Sequence, residues 1–106
     1  MPYPKEWTQK EFLLNKKRLE KEGVNVVLVD TILSSIEKAD TTLYNPYELN
    51  NLPDGSVLVF YCDSGKATLD RLQEYRKKFP QHICISLKGG RSYWRKNMMI
   101  LDEDKE

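Results

Sequence analysis

At 106 residues the chain has room for one domain with a real core, residues 1–106, and little room for a second lobe. Lys plus Arg is 17 and Asp plus Glu is 16, so no net field points to nucleic acid or a membrane surface. A hydrophobic content of 40% favours a folded globule over a disordered chain, and no stretch reaches the roughly 18 apolar residues of a membrane span.

Pro2 and Pro4 open a short irregular or extended lead anchored by Trp7. Thr8-Gln9-Lys10-Glu11 fits a capping box, and the helix it starts runs to Glu22, where Gly23 stops it. Phe12, Leu13, Asn15 and Leu19 face inward, and the interleaved lysines and glutamates make a solvated outer face. Val24 to Asp30 is apolar enough for a parallel strand buried on both faces, with Asp30 at its carboxyl edge. Thr31 to Lys38 reads as a short helix or turn. Thr41 to Tyr44 reads as a short edge strand ended by Asn45-Pro46, and Tyr47 to Leu52 as one helical turn. Pro53-Asp54-Gly55 then turns the chain into the central strand, Val57 to Cys62.

After a polar loop, a helical stripe through Leu69, Leu72, Tyr75 or Arg76, and Phe79 implies one helix over Thr68 to Phe79, ended by Pro80. His82 to Leu87 is the next strand, followed by Lys88-Gly89-Gly90 and a short helix holding Ser92, Tyr93, the core residue Trp94 and Arg95. Met98 to Leu101 packs or trails, and Asp102 to Glu106 is expected to fray. Strands alternating with helices imply a mostly parallel central sheet with helices on both faces.

The chemistry concentrates at Cys62. An apolar strand ends abruptly there, and Asp63-Ser64-Gly65-Lys66-Ala67-Thr68 follows before the helix. In an α/β domain that places the cysteine at the carboxyl edge of the sheet, where ligands bind. The amides of Asp63 to Thr68 are expected to curl into a nest below the sulfur, favouring thiolate over thiol and holding a bound anion. Two cysteines are too few for a secreted disulfide scaffold, and Met1 to Glu6 is unlike a signal peptide. The expected compartment is therefore the reducing cytoplasm. Cys84 lies early in its strand, roughly 10 Å below Cys62 at strand spacing, too far for a disulfide, and reads as core. His82 precedes a strand at the end opposite Cys62, which disfavours Cys–His protease chemistry. One histidine and two separated cysteines give no credible metal site, and no cofactor is implied. Ser64-Gly65-Lys66 lacks the earlier glycine of a phosphate-binding P-loop. Gly89-Gly90 is either a plain turn or a flexible backbone beside the loop.

Val59-Phe60-Tyr61-Cys62-Asp63-Ser64-Gly65 and Leu87-Lys88-Gly89-Gly90-Arg91-Ser92-Tyr93-Trp94, in this order and spacing, resemble the rhodanese family of single-domain sulfurtransferases. The resemblance spans nearly the whole chain, with a shorter segment over Thr31 to Tyr44. It implies a rhodanese-like fold and a Cys62 persulfide. The amides of Asp63, Ser64, Gly65, Lys66, Ala67 and Thr68 would hold the terminal sulfur. The implied partners are a small sulfur donor, thiosulfate or a persulfide, and an acceptor that is a thiol, cyanide or a protein.

The chain departs from the family's pattern at Ala67 and Asp63, where arginines are frequent, and at Thr31 and Ile32. Lys66, and Arg91 as a possible substrate contact, would restore positive charge. Weak turnover of thiosulfate is expected. The alternative is a rhodanese-fold binding or regulatory module that is weak or inactive in catalysis. A cysteine phosphatase ranks last, because Thr68 stands where its loop needs an arginine.

Overall fold

The computed structural model describes residues 3–36 and 39–94. Glu6–Trp7 forms a two-residue strand, β1, which takes an edge of the sheet by pairing with Ser86 and Leu87. The lead, expected to be irregular or extended, thus joins the sheet at Glu6 and Trp7, with Trp7 buried, while Pro2 falls outside the described residues. Thr8 then caps α1, Gln9–Lys21, in a complete capping box: its hydroxyl accepts from the Glu11 amide, and Glu11 accepts from the Thr8 amide. Phe12 and Leu19 are buried, while Leu13 and Asn15 are half-buried.

Val26–Asp30 is β2. Thr31 to Ile36 forms no helix; it bends back over the sheet edge, with Leu33 in the left-handed region. Thr41–Leu43 is β3, at the edge opposite β1. Asn45 does more than end that strand. Its side chain accepts the Tyr47 and Glu48 amides and, with proline at the first helical position, starts α2, Pro46–Asn50.

The central strand β4, Val57–Tyr61, is buried at every residue. The helix expected over Thr68 to Phe79 begins earlier and is interrupted. It divides into α3, Lys66–Asp70, and α4, Leu72–Lys78, at Arg71 with φ −93° and ψ 1°. The break separates two anchors of different kind. Thr68 is held to the sheet by a hydroxyl contact with Ser86, whereas Leu72, Tyr75 and Phe79 pack on apolar side chains. Ile83–Leu87 is β5, and Arg91–Tyr93 forms one 3₁₀ turn after it. Trp94 is half-buried, its ring 6.1 Å from that of Phe12 and its indole nitrogen without a hydrogen-bond partner among the described residues. The expectations for Arg95, for Met98 to Leu101 and for the acidic end fall outside the described residues.

Among the described residues five strands run β1-β5-β4-β2-β3, and every pair is parallel. Alternation along the strands sorts the core into two layers. Val57, Val59, Tyr61, Ile85 and Leu87 meet Phe12 and Leu19 of α1 on one face. Leu58, Phe60 and Cys84 meet Leu49 of α2 and Leu72, Tyr75 and Phe79 of the α4 side on the other, where the rings of Phe60 and Tyr75 stack at 4.0 Å. The fold is therefore α/β, with helices on both faces of a wholly parallel sheet. In register, Asp30 lies opposite Tyr61 and Phe60 opposite Ser86, so β2, β4 and β5 deliver their exits to one edge.

Candidate active site

Cys62 follows β4 directly, and the chain curls back over its sulfur. Gly65 makes the reversal with φ 86°, and a side chain there would fall 2.7 Å from the Gly89 nitrogen and 2.8 Å from the Leu87 carbonyl. Only glycine fits. The Gly65 amide donates to Cys62 Sγ at 3.1 Å, and the Thr68 hydroxyl lies 3.7 Å from it. Burial pushes the Cys62 thiol up, but the Thr68 amide and hydroxyl and the amides of Gly65 and Ala67 outweigh it, leaving the thiol below its ordinary range.

The nest is thus narrower than the sequence implies. Gly65, Ala67 and Thr68 turn amides to the sulfur, whereas Lys66 donates its amide to Ser64 Oγ at 3.4 Å. Asp63, Ser64, Lys66 and Ala67 carry exposed side chains. The Asp63 carbonyl accepts the Ser92 amide at 2.9 Å, and the Cys62 carbonyl accepts the Arg91 amide at 2.8 Å. The strand-exit glycines therefore brace the cysteine loop. Arg91 meets the site through its backbone, and its Nε donates to the Ser35 carbonyl at 3.3 Å.

Depth is a second difference. Cys62 is 4% exposed, so its sulfur lies on the floor of the loop and not perched on the rim. Sequence reasoning also missed Ser86, whose hydroxyl lies 2.8 Å from that of Thr68. The signal was present: a lone serine inside the apolar run Ile83 to Leu87 needs a buried partner. Thr68, 1% exposed, fills with a hydroxyl the place where a phosphatase-type loop would need a cation.

The remaining candidates stay apart from this site. Cys84 is level with Leu58, four residues before Cys62 and about 13 Å away along the strand, slightly farther than expected. Both cysteines are free; burial pushes the Cys84 thiol up to about 11, with Arg76 opposing. His82 lies at the far end of the sheet, with Nε2 2.8 Å from the Leu49 carbonyl. Asp30, buried beside Tyr61, accepts the Ile32 amide at 2.8 Å, while the Tyr61 hydroxyl donates to the Ser34 carbonyl at 2.6 Å. Among the described residues no three His, Cys, Asp or Glu side chains gather as metal ligands, and no helix is long and apolar enough to cross a membrane.

The fold and site together define an α/β protein with a cysteine held in backbone amides after its central strand. Among solved structures, the BH2092 protein from Bacillus halodurans superposes with a TM-score of 0.53 at 20% identity, covering 87% of this chain and 72% of that one. This likeness shows a common fold. The rhodanese homolog TT1651 from the extremely thermophilic bacterium Thermus thermophilus aligns at a TM-score of 0.49 and 20% identity, covering 82% of this chain and 96% of that one. No protein-family model and no curated protein matches the sequence.

Proposed function

We propose that this protein is a rhodanese-type sulfurtransferase that carries sulfane sulfur on Cys62. The observation that supports this most is the Gly65 amide 3.1 Å from Cys62 Sγ, joined by the amides of Ala67 and Thr68. That arrangement favours an anion on the sulfur without any charged side chain, and it suits a persulfide as well as a thiolate. The loop and glycine-pair motifs, which resemble those of rhodaneses, lie side by side, joined by the Arg91 amide on the Cys62 carbonyl and the Ser92 amide on the Asp63 carbonyl.

The Cys62 thiolate attacks the sulfane sulfur of a donor, forming a Cys62 S–S bond as the donor's own bond to that sulfur breaks. With thiosulfate the leaving group is sulfite. The persulfide's terminal sulfur keeps the negative charge and takes the loop amides. An acceptor such as cyanide or a thiolate then attacks that terminal sulfur, leaves with it, and returns Cys62 as thiolate. No external oxidant or reductant enters. Cys62 is 4% exposed, so the sulfur admits reagents with a narrow reactive end. Among the described residues, Lys66 on the loop and Arg91 beside it offer positive charge to an anionic donor, and the cytoplasm is the setting that keeps the thiol reduced.

Loading with thiosulfate or a small persulfide, followed by mass spectrometry, should place one extra sulfur on Cys62. Cyanide should then release thiocyanate from the wild type and none from Cys62→Ser. Equal release from both proteins would leave a binding module without turnover.

A further inference from the structure

Three oxygens form a buried cluster behind Cys62. Thr68 Oγ1 lies 3.7 Å from Sγ, 2.8 Å from Ser86 Oγ and 3.4 Å from the Gly65 carbonyl; Ser86 Oγ is also 3.4 Å from that carbonyl. Thr68 is 1% and Ser86 0% exposed, so solvent supplies neither donors nor acceptors. Two hydroxyl protons must serve these contacts, and the choice is set by the sulfur. When Cys62 is a thiol, the chain of donation can run outward: S–H to Thr68, Thr68 to Ser86, Ser86 to the Gly65 carbonyl. When Cys62 is a thiolate it can only accept, so Ser86 donates to Thr68 and Thr68 donates to the sulfur. Both hydroxyls rotate, and no heavy atom has to move.

We infer that Ser86, which lies on β5 and outside the cysteine loop, is a positioning residue that directs the Thr68 hydroxyl proton onto the Cys62 sulfur whenever that sulfur carries charge. Without Ser86, the Thr68 hydroxyl loses the 2.8 Å donor that polarises it toward the sulfur, and the Gly65 carbonyl at 3.4 Å competes for its proton. That carbonyl already accepts the Leu69 amide at 3.2 Å, so losing Ser86 leaves the loop's own hydrogen bonds intact. The effect is therefore on the sulfur and not on the loop. Tyr75 from α4 interacts electrostatically with Cys62, and the charged residues flanking it are Asp63 and Lys66, exposed on its own loop, and Arg91 from the 3₁₀ turn, whose amide bonds the Cys62 carbonyl. None of them is a hydrogen-bond partner of Sγ. Among the described residues, the contact relayed by Ser86 is thus the one hydrogen-bond path to the sulfur from β5.

The role of Ser86 in turnover rests on reading Cys62 as a sulfur carrier, but its effect on the thiol can be measured without turnover. Iodoacetamide alkylation of Cys62, followed across pH on the Cys62 peptide by mass spectrometry, reports thiolate alone. Ser86→Ala should move the midpoint to higher pH and slow alkylation about threefold on its acid side. Thr68→Val should do more, and Thr68→Ser should restore the wild-type profile. The double variant should match Thr68→Val, because Ser86 acts only through Thr68. An unchanged midpoint in Ser86→Ala, or a shift that adds in full to that of Thr68→Val, overturns the proposal. Should Ser86→Ala fail to fold, Ser86→Cys, with a weaker donor of similar size, must shift the midpoint in the same direction. Absent thiocyanate release with the expected midpoint shifts would reject the sulfurtransferase and keep the relay.

Discussion

Gly90 lies against the carbonyl oxygen of Cys62, with no room for even a methyl group between them. A side chain there would also meet the Gly65 amide nitrogen at 2.8 Å and the Asp63 carbonyl at 2.9 Å. Gly90 has φ 54° and ψ −148°, a region that residues with a Cβ avoid. The glycine pair is therefore a backbone wedge that closes the cysteine loop from β5. Gly90→Ala should destabilise the protein by about 2–4 kcal/mol in urea denaturation, from strain plus displaced backbone. Because the displaced atoms carry the nest, thiocyanate release per folded molecule should fall as well. A variant with wild-type transfer at reduced stability would separate the wedge from the site.

The two cysteines should give stability opposite pH dependences. In the unfolded chain both titrate near about 8.5. Cys62 ionises more readily when folded, so its contribution is fully present above that value and is lost as pH falls through its folded value. Cys84, at about 11 when folded, contributes fully below about 8.5 and loses that contribution as pH climbs towards 11. By pH ~9.5 the Cys84 loss amounts to about 1 kcal/mol, and the scan should stop there because burial also pushes up Tyr61 and Tyr75. Urea midpoints should flatten on the acid side in Cys62→Ala and on the alkaline side in Cys84→Ala.

What the sequence discloses depends on how local the physics is. The capping box at Thr8 and Glu11 is decided within four residues, and it formed as read. The apolar run Val57 to Tyr61 can only be a buried strand, and it delivers Cys62 to the same sheet edge as Asp30. Other features depend on partners far along the chain. The two residues of β1 are too few to show a period, and they pair only because β5 supplies an edge. The hydroxyl pair of Thr68 and Ser86 spans 18 residues and depends on how α3 lies across β5. The break at Arg71 and the depth of Cys62 follow from that same packing, which no local pattern encodes.

Asp63 and Ala67 both carry exposed side chains on the cysteine loop. A carboxylate next to the sulfur repels a dianionic donor such as thiosulfate, although salt weakens the effect at an exposed site. Asp63→Asn should raise kcat/KM for thiosulfate about threefold at low ionic strength and lose the advantage near 1 M salt. Ala67→Arg, adding a fork suited to oxyanions, should gain about tenfold. Neither change should help a sulfur donor without net charge. Equal gains with charged and neutral donors would mean that the substitutions act on the loop and not on the donor's charge.

Leu33 is 84% exposed and sits at φ 56°, so it bears the strain of a left-handed backbone with almost no burial in return. Its neighbours explain why. The Ile32 amide is held by Asp30 at 2.8 Å, and the Ser34 carbonyl is held by the Tyr61 hydroxyl at 2.6 Å, which leaves residue 33 to make the turn. Asparagine tolerates that conformation better than leucine. Leu33→Asn should therefore stabilise the protein by about 0.5–1 kcal/mol, read as a higher urea midpoint with an unchanged slope. If the clamp imposes the turn, Tyr61→Phe releases the Ser34 carbonyl and lets residue 33 relax. The gain from Leu33→Asn should then shrink in the Tyr61→Phe background, a coupling that a double-mutant cycle measures directly. An equal gain in both backgrounds would mean that the β2 exit adopts this turn without Tyr61.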